Sequence, residues 1–205
     1  MPHEANAIEH LRVIRNLMER ATIYRAISSP TALVGGVLAS ILALWNFSAS
    51  ESTPFVQSWL VVLALSLVAN TIFLWRDNSR EGKLYLSSGL RLAIRAVLPS
   101  LLAAGVFSIY LIRVNAPVSL LSITWICFYG LALLSTEQFA PRSLVWLGRS
   151  FLFSGLMLLL GTTFSPLSDL SAHSIMGATF GLFHLIYAAA TWPRRATVES
   201  LQPTA

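Results

Sequence analysis

The chain has 205 residues, of which 55% are hydrophobic and only 11% are charged, and its formal net charge is +5. Soluble domains carry about 25% charged residues, so a water-facing surface of ordinary composition is excluded. The basic residues lie beside apolar runs, where they anchor helices, which argues against nucleic acid as a partner. The composition predicts an integral membrane protein without a separate soluble domain.

Residues 1–29 are predicted to form an amphipathic helix on the cytoplasmic side of the membrane. Within segment 5–24, apolar residues recur at alternating four- and three-residue steps, and charged side chains occupy the opposite arc. The apolar stripe consists of Ala7, Leu11, Ile14, Met18 and Ala21. This stripe can rest on the lipid interface, on the cytoplasmic ends of the other helices or on a partner helix, and its shortness favours the first two.

Six apolar runs of membrane-spanning character follow in residues 30–192. About 20 residues of α-helix cross a hydrocarbon layer of roughly 30 Å. Polar or turn-rich segments separate the runs, and a tail of residues 193–205 follows the last of them. The predicted spans are 30–47, 55–75, 96–112, 117–136, 147–165 and 173–192. We therefore expect an all-α integral membrane protein with six transmembrane helices.

A recurring local pattern predicts that the spans form three helical hairpins. An Arg-Ala pair, a short gap, a proline and then apolar residues up to a glycine occur from Arg25 and again from Arg95. A looser copy without the proline begins at Gly148. Each copy lies where the chain enters the membrane from the same side, as internal repeats would. Convergence is the alternative, because proline suits a first helical turn and arginine suits this interface.

The positions of the basic residues predict that both chain ends are cytoplasmic. Positive residues close to helix ends are retained on the cytoplasmic side. Thirteen of the 14 lysines and arginines fall on one side of the six predicted spans, and only Arg113 falls on the other. The short loops are typical of a bacterial inner-membrane protein. Head-group contacts are expected for Arg25, Arg76, Arg80, Lys83, Arg91 and Arg95.

Small residues spaced four apart predict where helices approach closely. Gly35, Gly36 and Ser40 supply such positions in the first span, and Gly177 with Gly181 does so in the last. We expect the pair in the last span to make a close helix contact. His184 lies near the face of that pair on an ideal helix, so its ring should point into the protein.

Few polar groups occur at membrane depth, and His184 is the one deep ionisable side chain that could act as an acid or base. Asn70, Ser154 and Tyr129 are the other candidates within the spans, and Glu137 lies at the cytoplasmic mouth of the fourth. The scarcity of intramembrane carboxylates argues against secondary transport of ions. Phosphate-binding loops and metal-ligand clusters are missing from the sequence, so neither a cofactor nor a metal is predicted.

Four roles can be considered for His184. A haem would need a second axial ligand, but His173 lies about 16 Å away along the same helix. The imidazole could act as a base beside Ser154, or as a proton carrier or pH sensor, since histidine changes charge near neutrality. The favoured hypothesis is a neutral ring that is hydrogen-bonded across helices, to Tyr129, Asn70 or a backbone carbonyl.

We therefore expect a non-catalytic membrane protein that acts through helix packing, as an accessory subunit, an oligomeric scaffold or a membrane sensor. Its expected partners are membrane lipids and a second copy of the chain or a larger membrane complex. Two other hypotheses stay open. The first is a small transporter or channel with a path lined by Asn70, Glu137 and His184, and the second is an intramembrane enzyme that uses Ser154 and His184.

Overall fold

The computed structural model describes residues 29–46, 52–81, 88–164 and 171–192. Within these ranges the chain forms helices joined by turns, and no strand occurs there. The prediction of an all-helical chain is confirmed. Residues 1–28 of the amphipathic helix predicted for 1–29, the loop 82–87 and the tail 193–205 lie outside the described residues, and with them the predicted contacts of Arg25 and Lys83.

Six helices, α1 to α6, occupy the described ranges, and each overlaps one of the apolar runs. In chain order they are Ser29–Trp45, Ser52–Glu81, Ser88–Arg113, Val118–Leu134, Arg142–Phe164 and Ala172–Thr191. The last helix, α6, contains one π-helical turn at Gly177–Gly181. The turn between α3 and α4 is closed by Asn115, whose φ of 51° is accessible to asparagine.

Four of the helices contain stretches that are long and apolar enough to cross a membrane. These stretches are Phe55–Arg76, Arg91–Arg113, Arg142–Phe164 and Ala172–Thr191. The remaining two, α1 and α4, are apolar but have only 17 residues each, which corresponds to about 26 Å. The helix lengths and compositions are those of a membrane protein.

The helices α1, α4, α5 and α6 form the centre of the bundle, and α2 and α3 lie at its periphery. Helix α1 packs against α2 and α6, and α4 packs against α3 and α5. In the potential membrane-spanning stretches of α5 and α6, 33% of the residues are buried inside the protein. In those of α2 and α3, only 6% and 0% of the residues are buried. Outward-facing leucine, valine and isoleucine side chains cover both peripheral helices, and such a surface requires an apolar environment.

Helix α1 runs antiparallel to α6, and a hydrogen bond joins the start of α1 to the end of α6. The Ser29 hydroxyl in α1 donates to the Thr191 carbonyl oxygen in α6 at 2.7 Å. Further along the same interface, Gly36 lies against Gly181, and Ala43 lies against Gly177. The start of α1 and the end of α6 are thus on the same side of the bundle.

Candidate functional site

A hydrogen-bonded contact inside the bundle joins α4 and α6 through His184. Its Nε2 lies 2.8 Å from the Tyr129 hydroxyl, and its Nδ1 lies 2.8 Å from the Phe180 carbonyl oxygen. A carbonyl only accepts, so Nδ1 of the neutral ring carries the hydrogen and donates it. Nε2 then accepts a hydrogen bond from Tyr129. Both ring nitrogens are used, and the geometry fixes one tautomer.

Aromatic rings from α4, α5 and α6 surround this imidazole. The ring centroid of Phe151 lies 5.5 Å from that of His184 in an edge-on arrangement, and Phe180 stacks at 6.1 Å. Tyr129 and Phe151 contact each other at 4.8 Å. The ring packing leaves His184 only partly buried, but its two polar atoms have partners within the protein. The arrangement is that of a packed hydrogen-bonded core.

A second histidine, His173, forms another buried polar contact near the start of α6. The Trp59 indole N–H donates to His173 Nδ1 at 3.2 Å, and the His173 side chain is 1% exposed. Phe55 lies edge-on to the imidazole at 5.0 Å. Sequence reasoning considered His173 only as a haem ligand and missed this pair. The pairing could not be seen in the sequence because Trp59 and His173 are 114 residues apart.

The π-helical turn at Gly177–Gly181 separates the environments of the two histidines. Eleven residues of α-helix at about 100° per residue would return nearly to the same face. A π turn has more residues per rotation, so His173 contacts Trp59 of α2 and His184 contacts Tyr129 of α4. His184 therefore does not share the surface on which the two glycines contact α1. The buried Thr179 hydroxyl donates to the Ile175 carbonyl at 2.9 Å within the distorted region.

The small residues predicted for packing come together where α1 meets α6. A Cβ atom added to Gly181 would lie 2.6 Å from the Ser40 hydroxyl oxygen, and one added to Gly36 would lie 3.0 Å from the Gly181 carbonyl oxygen. A Cβ atom at Gly177 would collide with the Ala43 side chain. Gly35, on another face of α1, would make only an ordinary contact, 3.5 Å from Ser66 Oγ of α2.

Sequence reasoning missed a second close interface, between α4 and α5. A Cβ atom at Gly130 would lie 2.6 Å from the backbone nitrogen of Leu152, and one at Gly155 would lie 2.5 Å from Cys127 Sγ. Gly148 lies against the Gly130 carbonyl oxygen in the same interface. A signal was present in the sequence, since residues 148 and 155 are seven apart and therefore lie on one face of a helix.

The other polar candidates lie in separate contacts. Asn70 Oδ1 accepts a hydrogen bond from the Thr31 hydroxyl at 3.2 Å, between α1 and α2. The Arg149 guanidinium donates to Glu137 at 2.9 Å in an exposed ion pair beside the α4–α5 turn. Ser154 is partly buried on α5. Neither Asn70 nor Glu137 contributes to the aromatic cluster around His184.

Three of the six predicted head-group residues have described side chains. Arg76 is exposed in the last part of α2, and Arg91 and Arg95 are exposed in the first part of α3. Arg80 lies in α2, but its side chain is not among those described. These three arginines thus lie at the end of α2 and the start of α3, on either side of the loop that joins the two helices.

Within the described residues, no three histidine, cysteine, aspartate or glutamate side chains are grouped so that they could hold a metal ion. Comparison of the chain with protein-family models, curated proteins and solved structures finds no match.

Proposed function

We propose that the chain crosses a bacterial inner membrane six times, as three helical hairpins, with both ends in the cytoplasm. The hydrogen bond from Ser29 to Thr191 supports the even number, because it joins the start of the first helix to the end of the last. The thirteen basic residues on that side support the cytoplasmic orientation. The α1 and α4 helices, at about 26 Å each, would span with a small local thinning of the bilayer, which costs only fractions of a kcal/mol per Å.

The proposed role is non-catalytic, as an accessory subunit, an oligomeric scaffold or a membrane sensor that acts through helix packing. One observation carries this proposal. Both nitrogens of His184 are hydrogen-bonded inside the protein, to Tyr129 and to the Phe180 carbonyl. The deep ionisable group is thus engaged in holding α4 to α6, an arrangement typical of interhelical hydrogen bonds in membrane proteins. Membrane lipids, a second copy of the chain or a larger membrane complex remain the proposed partners.

The contacts favour this role over the two alternatives. A transport path along Asn70, Glu137 and His184 would need these side chains on one route, but they lie in three different contacts. A serine–histidine enzyme would need an imidazole nitrogen that can accept the Ser154 proton. In the described geometry, Nε2 of His184 already accepts from Tyr129, and its Nδ1 faces a carbonyl.

Flux measurements in proteoliposomes test the proposed role. The protein is reconstituted with a pH-sensitive dye inside the vesicles, and proton and cation leakage are compared with those of empty vesicles. We expect no added flux for the wild type or for His184→Phe. Ile186→Phe is the matched control, since Ile186 is 56% exposed on the same helix. A wild-type flux that only His184→Phe abolishes, while far-UV circular dichroism shows an intact fold, would establish transport and contradict the proposal.

A further inference from the structure

One face of α3 combines two cations with a long apolar strip. Six exposed positions follow each other along this face at four- and three-residue steps, which places them in a single row. These positions are Arg91, Arg95, Leu98, Leu102, Gly105 and Ile109. A Cβ atom at Gly105 would meet no other atom within 4 Å, so the row is open at its middle. Like a phospholipid, this face is charged at one end and apolar along the rest of its length.

The dimensions of the row match one leaflet of a bilayer. The ten residues from Arg95 to Gly105 rise about 15 Å, half of a hydrocarbon layer of roughly 30 Å. The eighteen residues from Arg95 to Arg113 rise about 27 Å, close to the whole layer. With α3 spanning the bilayer as proposed, Arg95 and Arg113 would lie at the two edges of the hydrocarbon. Arg91, one turn further out, would lie at the level of the head groups.

Arg91 and Arg95 lie one helical turn apart on this face. Among the described residues, neither Arg91 nor Arg95 forms an ion pair. Two unpaired guanidinium groups can therefore contact the same phosphate.

We propose that this face of α3 binds an anionic phospholipid such as phosphatidylglycerol. The phosphate lies between Arg91 and Arg95, and the acyl chains lie along Leu98, Leu102 and Gly105. The inference deepens the proposed function, because it rests on α3 spanning the bilayer. The proposed site differs from a general attraction of basic residues to anionic membranes because it is confined to one helix face.

Native mass spectrometry of protein released from nanodiscs tests the site. The discs contain equal parts of phosphatidylglycerol and phosphatidylcholine, and the ratio of the two lipids retained on the protein is measured. Each arginine near an anionic lipid contributes about five-fold to binding. We therefore expect R91Q/R95Q to lower the preference for phosphatidylglycerol by roughly 25-fold, and R91Q or R95Q alone to lower it about five-fold. R91K/R95K should keep the preference, because it keeps both cations.

R113Q is the matched control, since it removes an exposed arginine from the other end of the same helix. It should retain the wild-type preference. Equal loss in R113Q and R91Q/R95Q, or no loss in the folded arginine variants, would overturn the site. So would a wild-type dimer, free of lipid, that only R91Q/R95Q converts to monomer, because a second copy would then cover this face. Both leaflets of a nanodisc have the same composition, so the result does not depend on the orientation or the number of spans.

Discussion

The α4–α5 interface permits a sharp prediction for the substitution Gly130→Ala. The added Cβ atom would lie 2.6 Å from the Leu152 backbone nitrogen, 0.8 Å short of the 3.4 Å at which ordinary contact begins. It would also lie 3.0 Å from the Gly148 carbonyl oxygen and from Leu152 Cα. All three atoms belong to the backbone of α5, so a side-chain rotation cannot relieve the clash and the helices must separate.

The expected loss in the free energy of unfolding follows from two opposing effects. Overpacking of a close interface costs about 1–3 kcal/mol, and alanine gains up to about 1 kcal/mol of helix propensity over glycine. We expect Gly130→Ala to destabilise the protein by about 1–2 kcal/mol. Unfolding by sodium dodecyl sulfate in mixed micelles, followed by far-UV circular dichroism, measures this difference.

Gly105→Ala is the matched control for this substitution. It also replaces a glycine within a helix, but a Cβ atom at Gly105 meets nothing within 4 Å. Only the propensity gain remains, so this variant should be as stable as the wild type or more stable. Equal stabilities of the two variants, or a more stable Gly130→Ala, would refute the inference that the backbones of α4 and α5 are in direct contact at Gly130.

Two further substitutions test the histidine contacts by the same unfolding assay. Tyr129→Phe removes the hydrogen bond to His184 and should cost about 0.5–1.5 kcal/mol. Trp59→Phe leaves the buried Nδ1 of His173 without its donor and should cost about 1–3 kcal/mol, whereas Trp45→Phe, at a side chain that is 87% exposed, should change the stability little.

Each of these two predictions has a result that would contradict it. If Tyr129→Phe retains wild-type stability and a double-mutant cycle with His184→Phe gives no coupling, the two side chains do not hold α4 and α6 together. If Trp59→Phe costs no more than Trp45→Phe, the indole N–H does not stabilise the buried imidazole.

The sequence was sufficient to predict the helices, because apolar length between polar breaks is a strong and local signal. It was also sufficient to single out Gly177, Gly181 and His184, since small and polar residues are conspicuous in an apolar run. Partner identity was harder to predict. The Tyr129–His184 and Trp59–His173 contacts join residues 55 and 114 positions apart, and no local pattern specifies such pairs.

Regular helical periodicity also could not predict the face of α6 on which each side chain lies. It would place His173, Gly177, Gly181 and His184 on nearly one side of the helix. The π turn at Gly177–Gly181 changes the rotation between His173 and His184. His173 contacts α2, His184 contacts α4, and the two glycines meet α1. The run of small residues does not predict a π turn, because the formation of such a turn depends on packing against the neighbouring helices.

If the short helix α4 spans the membrane, its two ends must be accessible from opposite sides. In a Cys127→Ser background, Val114→Cys and Gln138→Cys each place one thiol at an exposed turn position, before and after α4. Intact spheroplasts are treated with a membrane-impermeant maleimide. We expect Val114→Cys to be labelled at once and Gln138→Cys to be labelled only after lysis. Labelling of both positions in intact spheroplasts, or of neither, would show that α4 does not cross the bilayer.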